Sequence, residues 1–295
     1  MTAPHATVDT APPSLREMVR ITVGLTVVCL LASIILGGFF LWTEPAKARN
    51  IAAREELLIR QLLGLPESAT IREVRRYLLW RGPELEAFYL GDRRLLQLDA
   101  SGDLIATAEV PAEIADSPGD GAKDAWVRER AAVDEDQEVR YVGRFFAGYD
   151  GERNAGYVIE GATIGFKTWI RFFLAVDADY GLRGIEVTEH EEDPGLGAEI
   201  TEPYFKHQYS GRSFDDIAAI EVTKDPLPGE WRTALEALDG SDLDRWLQQH
   251  ADLVAAHPDI HAITGATISS VAVTKGVKRA LRNFRKRMDF VEAHL

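Results

Sequence analysis

The sequence predicts an α+β protein: a mixed α/β domain behind a single N-terminal transmembrane helix. Three observations lead there. Residues 21–42 carry no charge and are dominated by Val, Leu, Ile, Phe and Gly. Downstream of residue 140, short stretches with strand-like alternation follow one another. The chain then closes on an amphipathic helix over 271–288, with Val273, Val277, Leu281 and Phe284 at helical spacing.

The N-terminal elements come first. Residues 1–14 are rich in Pro, Ala and Thr, a composition that favours disorder. The tail is set at 1–18 and the membrane helix at 19–43. At about 1.5 Å per residue the uncharged run crosses the roughly 30 Å hydrocarbon core. Trp42 sits at its exit, where aromatic anchors collect. A cleaved signal peptide is the competing reading. It fits poorly, because the run exceeds the usual apolar region of about 7–15 residues and no small-x-small site follows promptly. Arg16 and Arg20 flank one end; Lys47, Arg49 and Arg54 flank the other among Glu44, Glu55 and Glu56. That count does not fix the orientation. The only cysteine, Cys29, lies inside the run. The remainder therefore has no disulfide, thiolate cluster or Cys-x-x-Cys-His haem site.

Residues 44–150 read as a membrane-proximal region of helix and small β structure. An amphipathic helix is expected over 45–63, ended by Gly64-Leu65-Pro66. A second helix is expected over 71–79. Strand-like runs follow at 88–90, 95–98 and 104–106, with Asp99-Ala100-Ser101-Gly102-Asp103 as a hairpin turn. The acidic stretch 113–138 reads as a solvated loop or helix face. The net charge of −14 argues against non-specific nucleic-acid binding.

Residues 151–295 form the second region. Strands are expected at 156–159, 169–176 and 183–188, with a turn at 177–181 between the last two. A short helical piece follows at 204–209, a strand at 217–223, and helices at 230–238 and 243–250. The basic residues Lys278, Arg279, Arg282, Arg285, Lys286 and Arg287 crowd the far end of the last helix, where positive charge suits the dipole.

The most informative stretch precedes that helix: Ile263-Thr264-Gly265-Ala266-Thr267-Ile268-Ser269-Ser270. Gly265 and Ala266 leave the Thr267 hydroxyl unshielded by bulk. Ser269 and Ser270 are good N-cap types. A helix starting there aims free N–H groups at Thr267, a favourable place for a phosphate. About seventy residues upstream lies His190-Glu191-Glu192-Asp193-Pro194-Gly195-Leu196-Gly197. Pro194 fixes one backbone angle, while Gly195 and Gly197 allow close backbone approach to a flat ligand. Gly161-Ala162-Thr163 repeats the tripeptide Gly-Ala-Thr but lacks both the preceding Ser or Thr and the helix after it. No nucleophile elbow, phosphate-binding Gly-rich loop or dinucleotide fingerprint is present, and the histidines His190 and His261 have no zinc-type spacing.

Thr264-Gly265-Ala266-Thr267 resembles the flavinylation motif of covalent-FMN proteins, and the Pro-Gly-Leu-Gly loop resembles the one that packs near the flavin ring in the same family. That family includes the G subunit of the Rnf ferredoxin:NAD oxidoreductase and the C subunit of the sodium-translocating NADH:quinone reductase. Two positions depart from the pattern. His261 stands three residues before Thr264, where relatives often have Asp, and Asp193 replaces the loop's usual Thr.

The resemblance implies an extracytoplasmic FMN-binding domain with FMN joined to Thr267 by a phosphoester. It also implies cofactor contacts from Thr264, Gly265, Ala266, Ser269 and Ser270. Further contacts are implied from Glu192, Asp193, Pro194, Gly195, Leu196 and Gly197. It assigns no catalytic residue and no metal. The implied function is an electron-transfer subunit of a membrane-bound ion-translocating redox complex, of the Rnf type. The FMN subunit of the quinone reductase, a membrane-anchored flavin sensor and a scaffold domain stay open as alternatives. Implied partners are the other membrane subunits, a flavin transferase during maturation and the lipid bilayer. The tail would lie in the cytoplasm and the large domain in the periplasm of a bacterial inner membrane.

Overall fold

The computed structural model describes residues 14–117, 120–131, 137–238 and 242–291. The Pro, Ala and Thr-rich residues 1–13 lie outside them. The chain divides into two units, Met1–Ala52 and Ala53–Leu295.

The first unit holds the start of α1, Leu15–Leu63. Ser14 opens it: the Ser14 backbone N–H and hydroxyl both donate to the Glu17 carboxylate, at 2.9 and 2.8 Å, in a capping-box arrangement. An 18-residue window of α1 reaches a mean hydropathy of 2.4 with none of it buried, so the helix is long and apolar enough to cross a membrane. The sequence suggests a separate helix beginning at Pro45. The helix instead runs through residue 45 without a break; an interior proline costs a hydrogen bond and crowds the preceding turn, but its fixed φ of about −65° is itself helical.

In the second unit, the last turns of α1 meet an eight-stranded antiparallel sheet. Its strands are β1 (Thr70–Arg81), β2 (Glu84–Leu90), β3 (Arg94–Leu98), β4 (Leu104–Glu109), β5 (Arg140–Asp150), β6 (Arg153–Ile164), β7 (Trp169–Val176) and β8 (Leu182–Glu189). The spatial order is β4-β3-β2-β1-β5-β6-β7-β8, so the sheet takes strands from both sides of residue 150. β1 corrects the helix expected over 71–79. In IREVRRYLLWR the arginines mimic helical spacing, but side chains on both faces are buried: Val74 on one, Arg75, Tyr77 and Leu79 on the other. Arg75 is tolerated inside because Asp120 lies 2.6 Å from its guanidinium.

Alternation along β5, β6 and β7 divides two cores. Phe145, Tyr157, Ile159, Phe172 and Leu174 face one side; Phe146, Val158, Phe173 and Ala175 face the other, against Ile59 and Leu63. A third core sets α3 (Asp120–Arg130), through Trp126 and Val127, on Tyr77, Leu79 and Phe88. It follows the short helix α2 (Ala112–Ala115), so the described part of the acidic stretch is largely helical.

Beyond β8 come α4 (Pro203–Lys206), α5 (Phe214–Ala219), β9 (Val222–Thr223), α6 (Gly229–Glu236), α7 (Leu243–Ala256), β10 (Ile260–His261) and α8 (Thr267–Val291). The strand expected at 217–223 is α5 up to Ala219 and strand only at Val222–Thr223. Ser213 and Asp216 form a reciprocal capping box that starts a helix, leaving two residues to pair in parallel with β10. α8 lies across the first core through Val273, Val277, Leu281, Phe284 and Met288. It approaches closely because position 276 is glycine: a Cβ there would stand 2.9 Å from the Thr163 Cβ and 3.1 Å from the Phe172 ring.

Candidate functional site

The site forms where α8 begins. The sequence suggests Ser269 and Ser270 as caps; the helix instead starts at Thr267, and both serines lie in its first turn, fully buried. Ser270 Oγ donates to the Ala266 carbonyl and accepts the Ile263 N–H, each at 3.1 Å. It thus closes the turn between β10 and α8. Gly265 supplies the left-handed residue that turn requires, at φ +79°.

The first turn of α8 has two sides. Ser269 points inward. Thr267 is half-buried and Ile268 is exposed. No hydrogen bond to the Thr267 hydroxyl is formed among the described residues. The first N–H groups of a helix lack intrahelical acceptors, so this outward side combines a free hydroxyl with free donors and the positive end of the dipole.

The loop after β8 comes to the same place. Glu192 is buried, at 5% exposure, although a loop carboxylate would ordinarily be solvated. One carboxylate oxygen accepts the Lys167 backbone N–H at 3.0 Å; the other accepts the Ser269 hydroxyl. Its own N–H donates to His190 Nδ1 at 3.2 Å. Glu192 is therefore an internal tie between loop and helix. Asp193 pairs with the Lys167 ammonium, a hydrogen bond that holds the lysine above its ordinary pKa. The Asp193 carbonyl accepts the N–H groups of Leu196 and Ala198, which folds residues 193–198 into a compact turn. Gly195 stands at φ +72° with open space around it, and Pro194 and Leu196 are exposed.

Gly197 is the close-approach residue of this loop. A Cβ there would lie 2.6 Å from the Glu192 carboxylate and 2.9 Å from the Ser269 hydroxyl. A Cβ on Gly265 would stand 3.0 Å from the Leu196 side chain. The Thr264–Thr267 turn and the Pro194–Gly197 loop are thus adjacent, and both glycines keep them so.

Sequence reasoning missed the turn between β6 and β7. It carries Lys167 and exposes Phe166 and Trp169, 61% and 52% accessible. With Ile164, Leu196 and Ile268 they are exposed apolar side chains on the segments that build the site. The run Gly165-Phe166-Lys167-Thr168 between two strand patterns is the signal that marks it. Thr163, by contrast, is buried in β6 beneath Gly276. His261 is held in place: its N–H donates to Gln208 Oε1 at 2.7 Å, and its ring nitrogen lies 3.0 Å from the Asp225 carbonyl.

These features suit a flavin phosphate. Thr267 offers an unpartnered oxygen at a helix N-terminus. Gly195 leaves backbone uncovered, and Leu196 and Ile268 present apolar surface beside it. Residues 165–282 match the family model of the FMN-binding domain. This stretch is similar to that family. It contains the β6–β7 turn, the Glu192–Gly197 loop and Thr267, so every segment of the site lies within the match.

The chain is 28% identical over 137 residues to the G subunit of the proton-translocating ferredoxin:NAD(+) oxidoreductase complex of Clostridium ljungdahlii, covering 46% of this chain and 57% of that protein. It is 23% identical over 223 residues to the C subunit of the Na(+)-translocating NADH-quinone reductase of Pseudomonas aeruginosa, covering 72% and 80%. The protein of the same name from Yersinia pestis reaches 40% over 75 residues, or 24% of this chain and 28% of that protein. The chain spans 57% and 61% of the lengths of two G-type relatives, those of C. ljungdahlii and Methanosarcina acetivorans. Among solved structures, Shewanella oneidensis NqrC superposes with a TM-score of 0.46 at 15% identity, over 84% of this chain and 99% of that one.

Proposed function

We propose that this chain is the electron-transfer subunit of a membrane-bound ion-translocating redox complex, and that its FMN is a phosphoester on Thr267. The observation that carries the attachment is the two-sided start of α8. Ser269 is turned inward and bound to Glu192, while Thr267 keeps its hydroxyl free at the outer side of the same turn. FMN, when bound, supplies reversible one- or two-electron chemistry.

The chain's own residues have distinct tasks in this reading. Thr267 supplies the ester oxygen. The first N–H groups of α8 stabilise the phosphate. Glu192, through Ser269 and the Lys167 N–H, holds the Pro194–Gly197 loop against the helix start. Leu196 and Ile268 shield the ligand from water on the open side. A tether of this kind keeps a carrier from diffusing away, which suits relay between partner subunits better than turnover of a small metabolite.

The C. ljungdahlii and P. aeruginosa relatives are named for ferredoxin:NAD(+) and NADH-quinone complexes respectively. The proposal rests on what both share. The apolar part of α1 would span the inner membrane, with residues 1–18 in the cytoplasm and the large domain in the periplasm. Protease added to intact spheroplasts should then cleave the large domain. For attachment, the chain made alongside a flavin transferase should give a fluorescent band after denaturation. Peptide mapping should place one FMN, less one water, on Thr267. A band without fluorescence, or FMN on another residue, would overturn the assignment.

A further inference from the structure

A different part of the molecule holds two arginines that face one another without a counter-charge. Arg76 lies on β1 opposite Gly143 of β5, where the register of the two strands shifts. Gly143 adopts φ +133° with nothing near its missing side chain, so a gap lies beside the strand there. Arg287, in the last turns of α8, lies over the same gap. Both line a cavity of about 60 Å³ together with Tyr89, Arg144, Glu160 and Gly143.

The charges there do not balance. Arg76 Nε is buried and has no hydrogen-bond partner. Its guanidinium sits 5.9 Å from the Tyr89 ring, a weak cation–π contact. Among the described residues, no carboxylate lies within ion-pair distance of either Arg76 or Arg287. Glu160 is the acidic residue of the cavity wall, and Arg144 sits 3.8 Å from it. Burial, and then the charge of Arg76, hold Arg287 below the ordinary arginine pKa. Both side chains are half-buried, an unpaired polar atom such as Arg76 Nε is costly out of water, and here two cations share one space.

We propose that Arg76 and Arg287 form a binding site for a phosphoryl group, separate from the flavin site. Charge decides the ligand class. Two unopposed guanidiniums call for about two negative charges, which a phosphate monoester supplies near neutral pH and a single carboxylate does not. Guanidinium also matches phosphate oxygens in paired hydrogen bonds. Size agrees: at roughly 10–15 Å³ for each water-sized position, the cavity admits a group of about four or five such atoms. It is too small for a flavin. Thr267 and Arg287 are twenty residues apart on one helix, or roughly 30 Å, so the flavin phosphate cannot reach.

Free phosphate and the head group of an anionic lipid share this chemistry. The test uses the full flavinylated chain in phosphatidylcholine nanodiscs. Its melting midpoint is followed with inorganic phosphate, against chloride at equal ionic strength, and separately with phosphatidic acid in the disc. A rise with inorganic phosphate identifies a soluble ligand; a rise only with phosphatidic acid identifies a lipid. Arg76→Gln and Arg287→Gln should each weaken the response at least tenfold in ligand concentration. A response kept by the flavinylated wild type and lost in the arginine variants, each still carrying its flavin, separates this site from the flavin assignment. If a Gln variant does not fold, Arg76→Lys or Arg287→Lys keeps the charge and should still lose most of the response. No rise in either arm, or the same rise in wild type and variants, would overturn the proposal.

Discussion

The Glu192 carboxylate accepts a hydrogen bond from the buried Ser269 hydroxyl across seventy-seven residues of sequence. This single contact ties the loop after β8 to the first turn of α8. It also gives the helix start an inner side and an outer side. The inner side is filled by protein; the outer side leaves Thr267 free.

Removing the tie should cost stability. Ser269→Ala leaves a buried carboxylate oxygen without its donor, a loss of about 1–3 kcal/mol. Glu192→Ala should cost more, because the Lys167 N–H loses its acceptor as well. Glu192→Gln keeps an acceptor and should cost least. Urea midpoints at constant slope give the order, and equal midpoints for all three variants would show that the contact does not hold the loop.

The sequence conveys this site unevenly, for physical reasons. Thr267 is legible because Gly265 and Ala266 beside it are small and a strongly amphipathic helix follows. Gly195 and Gly197 are legible as a tight turn because Pro-Gly is a turn signal and the second glycine allows close approach. The burial of Glu192 is not legible, since a carboxylate among Glu191 and Asp193 looks solvated until Ser269 arrives from elsewhere in the chain. The β1 strand is misread for a related reason. Arg72, Arg75 and Arg76 supply a helical rhythm, and only the partners brought by the fold, Asp120 and Asp124 with Glu73 and Tyr77, show why Arg75 is inside. At α5 the local signal is present, in the Ser213-x-x-Asp216 box, but the apolar run after it favours the strand reading.

The packing of α8 predicts a reversed glycine effect. In an exposed helix, Gly→Ala stabilises by roughly 1 kcal/mol. At Gly276 the added methyl meets Thr163 and Phe172, and overpacking costs about 1–3 kcal/mol. Gly276→Ala should therefore be net destabilising, and Gly276→Val more so. A higher melting temperature for Gly276→Ala would contradict the close approach.

Acid should weaken the domain through His207. Its Nδ1 lies 2.7 Å from the Leu235 carbonyl, an acceptor, and burial holds its pKa below the ordinary value. Above about pH 6.5 both folded and unfolded chains are neutral there, and the stability is fully present. As pH falls below that value the unfolded chain takes up a proton the folded chain refuses. Stability then falls, by at most about 1.4 kcal/mol per pH unit for this one group, until the folded pKa is passed. His257 is lowered as well, by burial first and then by His261 and Arg212, and acts with the same sign. His207→Gln should flatten part of the decline between about pH 6.5 and 5 in urea titrations. An unchanged slope would remove His207 from the account.

The Pro194–Gly197 loop should affect the environment of the flavin without governing its attachment. Gly195 is left-handed at φ +72°, with open space around it. A valine there is strained by about 1–2 kcal/mol and covers backbone that would otherwise face the ligand. Gly195→Val should keep the fluorescent band and shift the absorption maximum or the redox potential. A folded Gly195→Val protein with unchanged spectrum and potential would argue that the loop does not touch the flavin.

Three threonines give the sharpest test of the site. Thr267 is the first residue of α8 and has a free hydroxyl, Thr264 is exposed on the turn before it, and Thr163 is buried under Gly276. Thr267→Ala should abolish both fluorescence and the mass increment of FMN. Thr163→Ala should leave both intact, because no transferase reaches a hydroxyl inside the sheet–helix core. Thr264→Ala should lower the yield without moving the flavin, since that residue belongs to the turn presenting Thr267 and not to a helix start of its own. Only Thr267 combines an accessible oxygen with free helical N–H groups able to stabilise a phosphate. If mapping placed the flavin on Thr264 or Thr163 in any variant, helix-terminal stabilisation would not be what selects the residue.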